Sequence, residues 1–393
     1  MSSPTKAGPV RLAFVFFRRA CQIQDESTTA ANPLTRQPPR RLSFGSQPCT
    51  NAANDPVMPA FRLLPFLLVL LVVTGLRCSQ PDPGGGNGPE AFAPSGPPQY
   101  RTEGIRIATF NGEFLFDGEG EEGGADFPWK SNPVAARAHR DLVAGVIRQL
   151  DADIVVITET ETKGVLEMMI AESLSGLGYT AYLVEGRDTF TRQNVGLLSR
   201  LPIEDVGRTS ELLPVGLTDR LYGVSKNIWA HLTIAGVPAT LIGVHFLARP
   251  DDIERKPRRE VQAEVIRRLV AQEAEAGRAV IALGDFNDFD DATLDIRGSR
   301  PITDVLERIK SAGPGADDDL INVLDDVPQR ERFTSFYDRN DDGRIDPGEF
   351  SAIDHILLSP ELYRRLREVH FVHAHDPRLV SDHFPVIVTL GDG

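Results

Sequence analysis

After Cys78 the sequence contains no cysteine; the three it has are Cys21, Cys49 and Cys78. Residues 79–393 therefore hold neither a disulfide framework nor a thiolate metal site, and a hydrophobic core must hold them. Positive charge is also short: 42 Lys+Arg stand against 56 Asp+Glu, a net charge of −14. The deficit is uneven, because residues 1–100 carry nine basic and five acidic side chains, which leaves 33 and 51, or −18, for residues 101–393. A domain of that charge binds nucleic acid poorly through counterion release, and work on phosphates would need metal ions to offset its field. No uncharged apolar run reaches the roughly 20 residues of a membrane-spanning helix. With 41% hydrophobic and 25% charged residues, the composition excludes collagen-like, coiled-coil and largely disordered classes.

The first hundred residues read as processing segments. Residues 1–57 are rich in Arg, Ser, Pro and Gln and are expected to be a disordered leader or an over-called extension. Residues 63–76, LLPFLLVLLVVTGL, form an uncharged run of 14 that suits the core of a signal peptide. With Met58 and Arg62 just upstream, a leader over 58–78 is expected, and Cys78 makes a lipid anchor an alternative to simple secretion. That predicts a secreted, periplasmic or cell-surface protein. Eleven of the eighteen residues 81–98 are Gly or Pro, so residues 79–103 read as a tether.

From residue 104 to 393 the pattern is that of one catalytic domain. Apolar strands are expected over 105–110, 153–158, 195–199, 279–286, 353–359 and 384–390, with a hairpin over 231–246 turning near Gly236. Helical spacing covers 133–150 and 257–276. Hairpins mixed with helical crossovers predict an α/β fold: a four-layer sandwich of two packed mixed β-sheets flanked by helices.

Polar residues recur at the strand ends. Asn111, Glu159, His245, Asp285 with Asn287, Asp354, and Asp382 with His383 all stand there. In α/β sheets, strand ends are where loops converge into sites. One such residue is ordinarily a turn or cap; eight of them, all acid, amide or imidazole, are harder to explain that way. The segments IRIATFN, DIVVITE, VHF, GDFND (284–288), IDHILLS and SDHFPV (381–386) occur in this order, and in them the chain resembles the endonuclease/exonuclease/phosphatase superfamily, the deoxyribonuclease I-like fold.

The resemblance implies a phosphoester hydrolase. It places Glu159, Asn111 and Asp382 at a Mg²⁺ or Mn²⁺ ion, and Asp285 at the attacking water with Asn287 beside it. It gives His245 and His383 hydrogen-bond or proton donation to the phosphate and leaving oxygen, with Asp354 orienting His383. Two positions depart from the family pattern: Thr158 where Gln is common, and Gln193 where some members have a Glu that pairs with the first His, so His245 lacks that carboxylate.

Other candidates have plainer readings. His355 should face away from Asp354, in a structural role. His370, His373 and His375 lack a ligand pattern and read as a solvated loop. Arg258, Arg259, Arg267 and Arg268 read as the solvated face of a charged helix. Trp129 and Lys130 sit in a Gly/Asp-rich loop, 117–132, that could border a cleft.

Residues 338–349, DRNDDGRIDPGE, fit the twelve-position calcium loop and resemble an EF-hand loop. Asp338, Asn340, Asp342, Arg344 (through its carbonyl), Asp346 and Glu349 take the ligand positions, and Gly343 takes the turn. Flanked by apparent strands and without a partner hand, the loop reads as a structural Ca²⁺ clamp that orders the strand presenting Asp354.

The expected function is therefore metal-dependent phosphoester hydrolysis, foremost of nucleic-acid phosphodiesters, by a monomer. The alternatives are a phosphomonoesterase, a phosphodiesterase acting on lipid or sugar phosphates, and a non-catalytic, calcium-stabilised binding module.

Overall fold

The computed structural model describes residues 92–313 and 315–392. The expected leader segments 1–57 and 58–78, Cys78, and the tether as far as residue 91 lie outside the described residues. Among those described, no helix is long and apolar enough to cross a membrane.

In chain order the elements are β1 (Ile105–Leu115), α1 (Pro133–Leu150), β2 (Ile154–Thr160), α2 (Lys163–Glu172), β3 (Thr180–Leu183), β4 (Asn194–Ser199) and β5 (Asp205–Gly207). There follow β6 (Leu213–Pro214), β7 (Leu221–Tyr222), β8 (Lys226–Ile234), β9 (Val237–His245), α3 (Lys256–Glu275), β10 (Ala279–Asp285), α4 (Val305–Lys310) and β11 (Ile321–Asn322). Last come β12 (Ser335–Phe336), β13 (Phe350–Ser351), β14 (Asp354–Leu358), α5 (Pro360–Tyr363), β15 (Leu366–Phe371) and β16 (Val386–Leu390).

Two six-stranded sheets carry the fold, in the orders β15-β16-β1-β2-β4-β3 and β11-β14-β10-β9-β8-β5. Both are mixed. In the first, β1 runs parallel to β2 and antiparallel to β16; in the second, β10 runs parallel to β9 and antiparallel to β14. The central strands are apolar on both faces because both faces are covered. Ile107, Val156 and Leu197 of the first sheet meet Ile228, Leu241, Ile281 and Ile356 of the second in an inter-sheet core. The outer face of the first sheet packs through Ala108, Val155 and Ile157 on Val143, Ile147 and Val165 of α1 and α2. The outer face of the second packs through Ile242, Val280 and Ala282 on Ile266 of α3 and Ile309 of α4. Helix, sheet, sheet and helix make the four layers that the sequence pattern predicts.

Helix boundaries follow local chemistry. The Asn132 side chain caps α1 by accepting the Ala135 N–H, with Pro133 in the first turn, and Asp151 ends the helix in the left-handed conformation at φ 41°. The hairpin of β8 and β9 turns at Ala235 and Gly236, both at positive φ.

Three expectations fail, each because a polar or flexible-looking segment finds partners. Residues 92–103 are not free tether. Phe92 packs its ring on Phe333, Phe350 and Phe384; the Ser95 N–H donates to the His373 carbonyl, and Thr102 and the Arg101 N–H donate to Glu368. His373 and His375 are not solvated: His373 stacks on Phe333 at 3.5 Å, and His375 is buried against Phe110 and Phe384. Burial lowers the pKa of both, that of His373 to about 4. Arg259 is not on a solvated face but is fully buried, whereas Arg267 and Arg268 do lie at the surface, paired with Glu264.

The docked N-terminal segment should contribute to stability. Phe92→Ala is expected to cost about 1–2 kcal/mol, less than a fully buried Phe→Ala change because the ring is only half-buried. Chemical denaturation checks this; an unchanged midpoint would contradict the docking.

Candidate active site

Strand register brings the polar strand ends together. In the second sheet Lys226 stands opposite His245, His245 opposite Asp285, and Asp285 opposite Asp354. Directly paired residues share a sheet face. One row across the sheet end therefore carries an ammonium, an imidazole and two carboxylates. The first sheet supplies Asn111 from a bulge in β1 and Glu159 from a register shift in β2. His383 precedes β16 and bridges to Ser335.

Backbone geometry aims these groups. Glu113, Phe114, Glu159 and Asn287 all have positive φ, between 47° and 61°. Non-glycine residues held in the left-handed region cost about 1–3 kcal/mol each and persist only where the surroundings impose them. Gly284 of the GDFND turn has φ 135°, and a Cβ there would lie 2.1 Å from the Val244 carbonyl oxygen. Close packing of β10 on β9 thus demands glycine next to Asp285.

The side chains form one connected, largely buried cluster. His383 Nδ1 donates to Asp354 Oδ2 at 2.7 Å, and its Nε2 lies 3.9 Å from Asp285 Oδ2. His245 Nε2 lies 3.6 Å from Asp285 Oδ2 and 3.8 Å from Glu159 Oε1. The Asn111 amide donates to both Glu159 Oε1 and Asp285 Oδ2, at 3.2 Å each. The Asn287 N–H holds Asp285 Oδ1 at 2.9 Å, and the Phe114 N–H holds Glu159 Oε2 at 3.0 Å.

Burial and charge set the protonation states. Burial, reinforced by Asp354, pushes Asp285 up to about 7. Burial and the nearby Asp382 raise Glu159. Burial, with Lys226 as the next cause, holds His245 well below the usual imidazole range. For His383 burial alone would lower the pKa, but the Asp354 carboxylate outweighs it and raises the value well above normal. The Asp354 carboxylate thus favours the protonated form of His383, and burial favours the neutral form of His245.

The donor set suits a hard divalent cation. Carboxylates of Glu159, Asp285, Asp354 and Asp382 face few cations, and oxygen donors suit hard divalent ions such as Mg²⁺, Ca²⁺ or Mn²⁺. Asp285, Asp354 and His383 bring metal-capable atoms within 4.8 Å of one another, the one such group of His, Cys, Asp or Glu found among the described residues. His383 already spends Nδ1 on Asp354, which leaves the carboxylates as the oxygen donors of the site. The Asn111 Oδ1 accepts the Glu113 N–H, and its amide faces the carboxylates as a donor.

All eight strand-end residues predicted from sequence lie in or beside this cluster. The calcium-loop residues Asp338, Asn340, Asp342, Arg344, Asp346 and Glu349 lie apart from it, on the hairpin of β12 and β13. His355 is buried away from Asp354 and bonds Asn322 and the Asp288 carbonyl, in the structural role expected. Trp129 donates to the Phe114 carbonyl, and Lys130 to the carbonyls of Gly123 and Ala125, so both brace the 117–132 loop.

Four contributors escaped the sequence reading. Lys226 joins the catalytic row, and its Nζ lies 3.3 Å from Gln193 Oε1 and 3.4 Å from Asp188 Oδ2. Gln193, standing where some members of the resembled family have a Glu, thus serves Lys226, while His245 Nδ1 stays buried without a partner. Ser381 donates to the Asn111 carbonyl at 2.7 Å and accepts the His383 N–H at 3.1 Å. Thr334 Oγ1 accepts the N–H groups of Ile353 and Asp354, and His375 Nε2 donates to the carbonyls of Ser381 and His383. Counting the hairpin register back from His245 would have found Lys226, and Ser381 opens the SDHFPV segment; Thr334 and His375 had no sequence signal.

Residues 108–383 match the model of the Endonuclease/Exonuclease/phosphatase family. Similar solved structures include an AP endonuclease from Archaeoglobus fulgidus, 20% identical over 73% of this chain and 99% of that one, with a TM-score of 0.49. A 3′ phosphatase from Neisseria bound to a product DNA hairpin is 19% identical over 73% of this chain and 99% of that one, with a TM-score of 0.46. An endonuclease/exonuclease/phosphatase family protein from Bacteroides thetaiotaomicron is 18% identical over 74% and 98%, with a TM-score of 0.46. Comparison with curated proteins finds no match.

Ser381→Ala would leave the buried Asn111 carbonyl without its hydroxyl donor and the His383 N–H without its acceptor. The expected loss is about 1–3 kcal/mol in denaturant unfolding. Wild-type stability in this variant would contradict the tie between Asn111 and His383.

Proposed function

The chain belongs to the endonuclease/exonuclease/phosphatase family of phosphoester hydrolases, and on that premise we propose that it is a divalent-metal-dependent phosphodiesterase that cuts nucleic acid. The observation that carries this reading is the buried Asp354–His383 pair with Asp285 against the ring's other nitrogen.

Phosphoester hydrolysis needs a positioned water, a stabilised phosphoryl oxygen and a protonated leaving group. Asp285, with Oδ1 held by the Asn287 N–H, orients the water and takes its proton at Oδ2. His383, kept protonated by Asp354, donates from Nε2 to a phosphoryl oxygen. Neutral His245 offers a hydrogen bond to the leaving oxygen, which takes its proton from solvent water, and Lys226, next in the row, adds fixed positive charge. Glu159 and Asp382, with Asn111 beside them, would hold Mg²⁺ or Mn²⁺, which supplies Lewis-acid polarisation of the phosphoryl oxygen.

A second reading is hydrolysis of a small phosphoester, as a monoesterase or a phosphodiesterase acting on lipid or sugar phosphates. The charge of −18 over residues 101–393 favours it, because a polyanion is repelled where a small substrate is not. Plasmid DNA, RNA, bis(p-nitrophenyl) phosphate and p-nitrophenyl phosphate, assayed side by side with Mg²⁺, separate the two. Cleavage of DNA or RNA that falls at least about 100-fold in Asp285→Ala and in His383→Ala supports the nuclease reading. Turnover of the small esters alone selects the second. Wild-type rates in both variants would refute the mechanism.

The 338–349 loop is assigned to Ca²⁺. Gly343 turns at φ 71°, and the stems β12 and β13 adjoin the site: the Phe336 N–H donates to the Asp382 carbonyl, and the Phe384 N–H to the Thr334 carbonyl. Ca²⁺ drawing the loop together would thereby steady Asp354 and His383. Chelating Ca²⁺ at constant Mg²⁺ should lower melting temperature and activity together, and Glu349→Gln should abolish that response. A variant that still responds, or activity that is indifferent to both, would remove the coupling. The apolar run 63–76 supports export by simple secretion, with lipid anchoring through Cys78 as the alternative.

A further inference from the structure

Arg259 has no exposed surface, and its guanidinium reaches the two loops that follow the catalytic strands β9 and β10. Those loops are already tied at their roots. The Phe246 N–H donates to the Asp285 carbonyl at 2.9 Å, and the Asn287 amide donates to the Phe246 carbonyl at 3.3 Å. Further out, Arg259 Nη1 donates to the Arg249 carbonyl and Nη2 to the Pro250 carbonyl. Its Nε lies 3.6 Å from Asp288 Oδ2. Arg249 sits at φ 69°, so one of the two gripped carbonyls belongs to a left-handed residue.

The Asp288 end is equally constrained. Asp288 is fully buried, its carboxylate accepts the Thr303 hydroxyl and the Phe289 N–H, and its carbonyl takes His355 Nε2 at 2.9 Å. It follows Asn287 directly in the GDFND turn. A planar guanidinium can bind two carbonyls and a carboxylate at fixed angles; an ammonium matches the charge but not the fork.

We propose that Arg259 is a positioning residue for the reaction: from α3 it locks the loop after His245 against the turn after Asp285 and Asn287, and so sets the spacing of the imidazole and the carboxylate. The kinetic half of this proposal rests on the phosphoesterase reading; the structural half does not. Misplacement of catalytic groups by about 1 Å costs up to about 100-fold in rate while leaving the substrate contacts in place.

Arg259→Lys and the double variant Arg259→Met/Asp288→Asn test it. Both avoid leaving Asp288 as an unpaired buried charge, the main hazard to folding in a lone Arg259→Met change. Hydrogen exchange of peptides spanning 246–250 and 285–290 is measured with kcat and KM on bis(p-nitrophenyl) phosphate, well below the melting temperature. The expected result is at least about tenfold faster exchange confined to those peptides, with kcat down at least about tenfold and KM within about twofold. Wild-type exchange in either folded variant overturns the proposal whether or not the protein is active. Faster exchange with unchanged kcat overturns it too, since Arg259 would then be structural only. Absence of turnover by the wild type on every phosphoester would sink the functional reading, and the exchange data would still decide whether Arg259 locks the loops.

Discussion

The hydrogen bond from His383 to Asp354 spans the two sheets. His383 precedes β16 of the first, and Asp354 opens β14 of the second. The Asn111 amide crosses the same gap to Asp285. The site therefore exists only while the sheets are packed, and the inter-sheet core of Ile107, Val156, Ile281 and Ile356 holds its two halves in register. A carboxylate and an imidazole out of water are costly unless paired in good geometry, and this pair meets that condition. Stability and catalytic geometry are here one constraint.

The surroundings over-determine the pair. Ser381 and His375 grip the backbone on either side of Asp382, and Thr334 receives both Asp354 and the residue before it. Positive φ at Glu113, Phe114, Glu159 and Asn287 is strain that such a scaffold can hold. Against this rigid frame the charges are unbalanced. Several carboxylates converge, burial raises Glu159 and Asp285, and Lys226 and the His383 imidazolium are the cations close by. A divalent ion and a phosphate together would relieve both signs, which is the electrostatic logic of the proposed chemistry.

Much of this was legible in the sequence. Period-two and continuous apolar runs located the central strands, because strands covered on both faces must be apolar throughout. The strand-end acids, amides and imidazoles were visible because each closes such a run. Lys226 was missed because it opens a strand with no motif; only cross-strand register shows that it faces His245. Arg259 and His375 were misjudged because charge suggests solvent, while their partners are backbone carbonyls, which sequence does not display. The segment before Ile105 was misjudged because Gly and Pro mask one aromatic anchor, Phe92, whose pocket is built from residues more than two hundred positions away.

The most direct test of the account is the protonation state of His383, read by ¹⁵N NMR of the imidazole in metal-free protein at neutral pH and assigned by its loss in His383→Ala. The account predicts protons on both ring nitrogens, with a low-field Nδ1 proton that disappears in Asp354→Asn. A neutral ring in the wild type, with one nitrogen unprotonated, would contradict the Asp354–His383 ion pair and the donor role built on it.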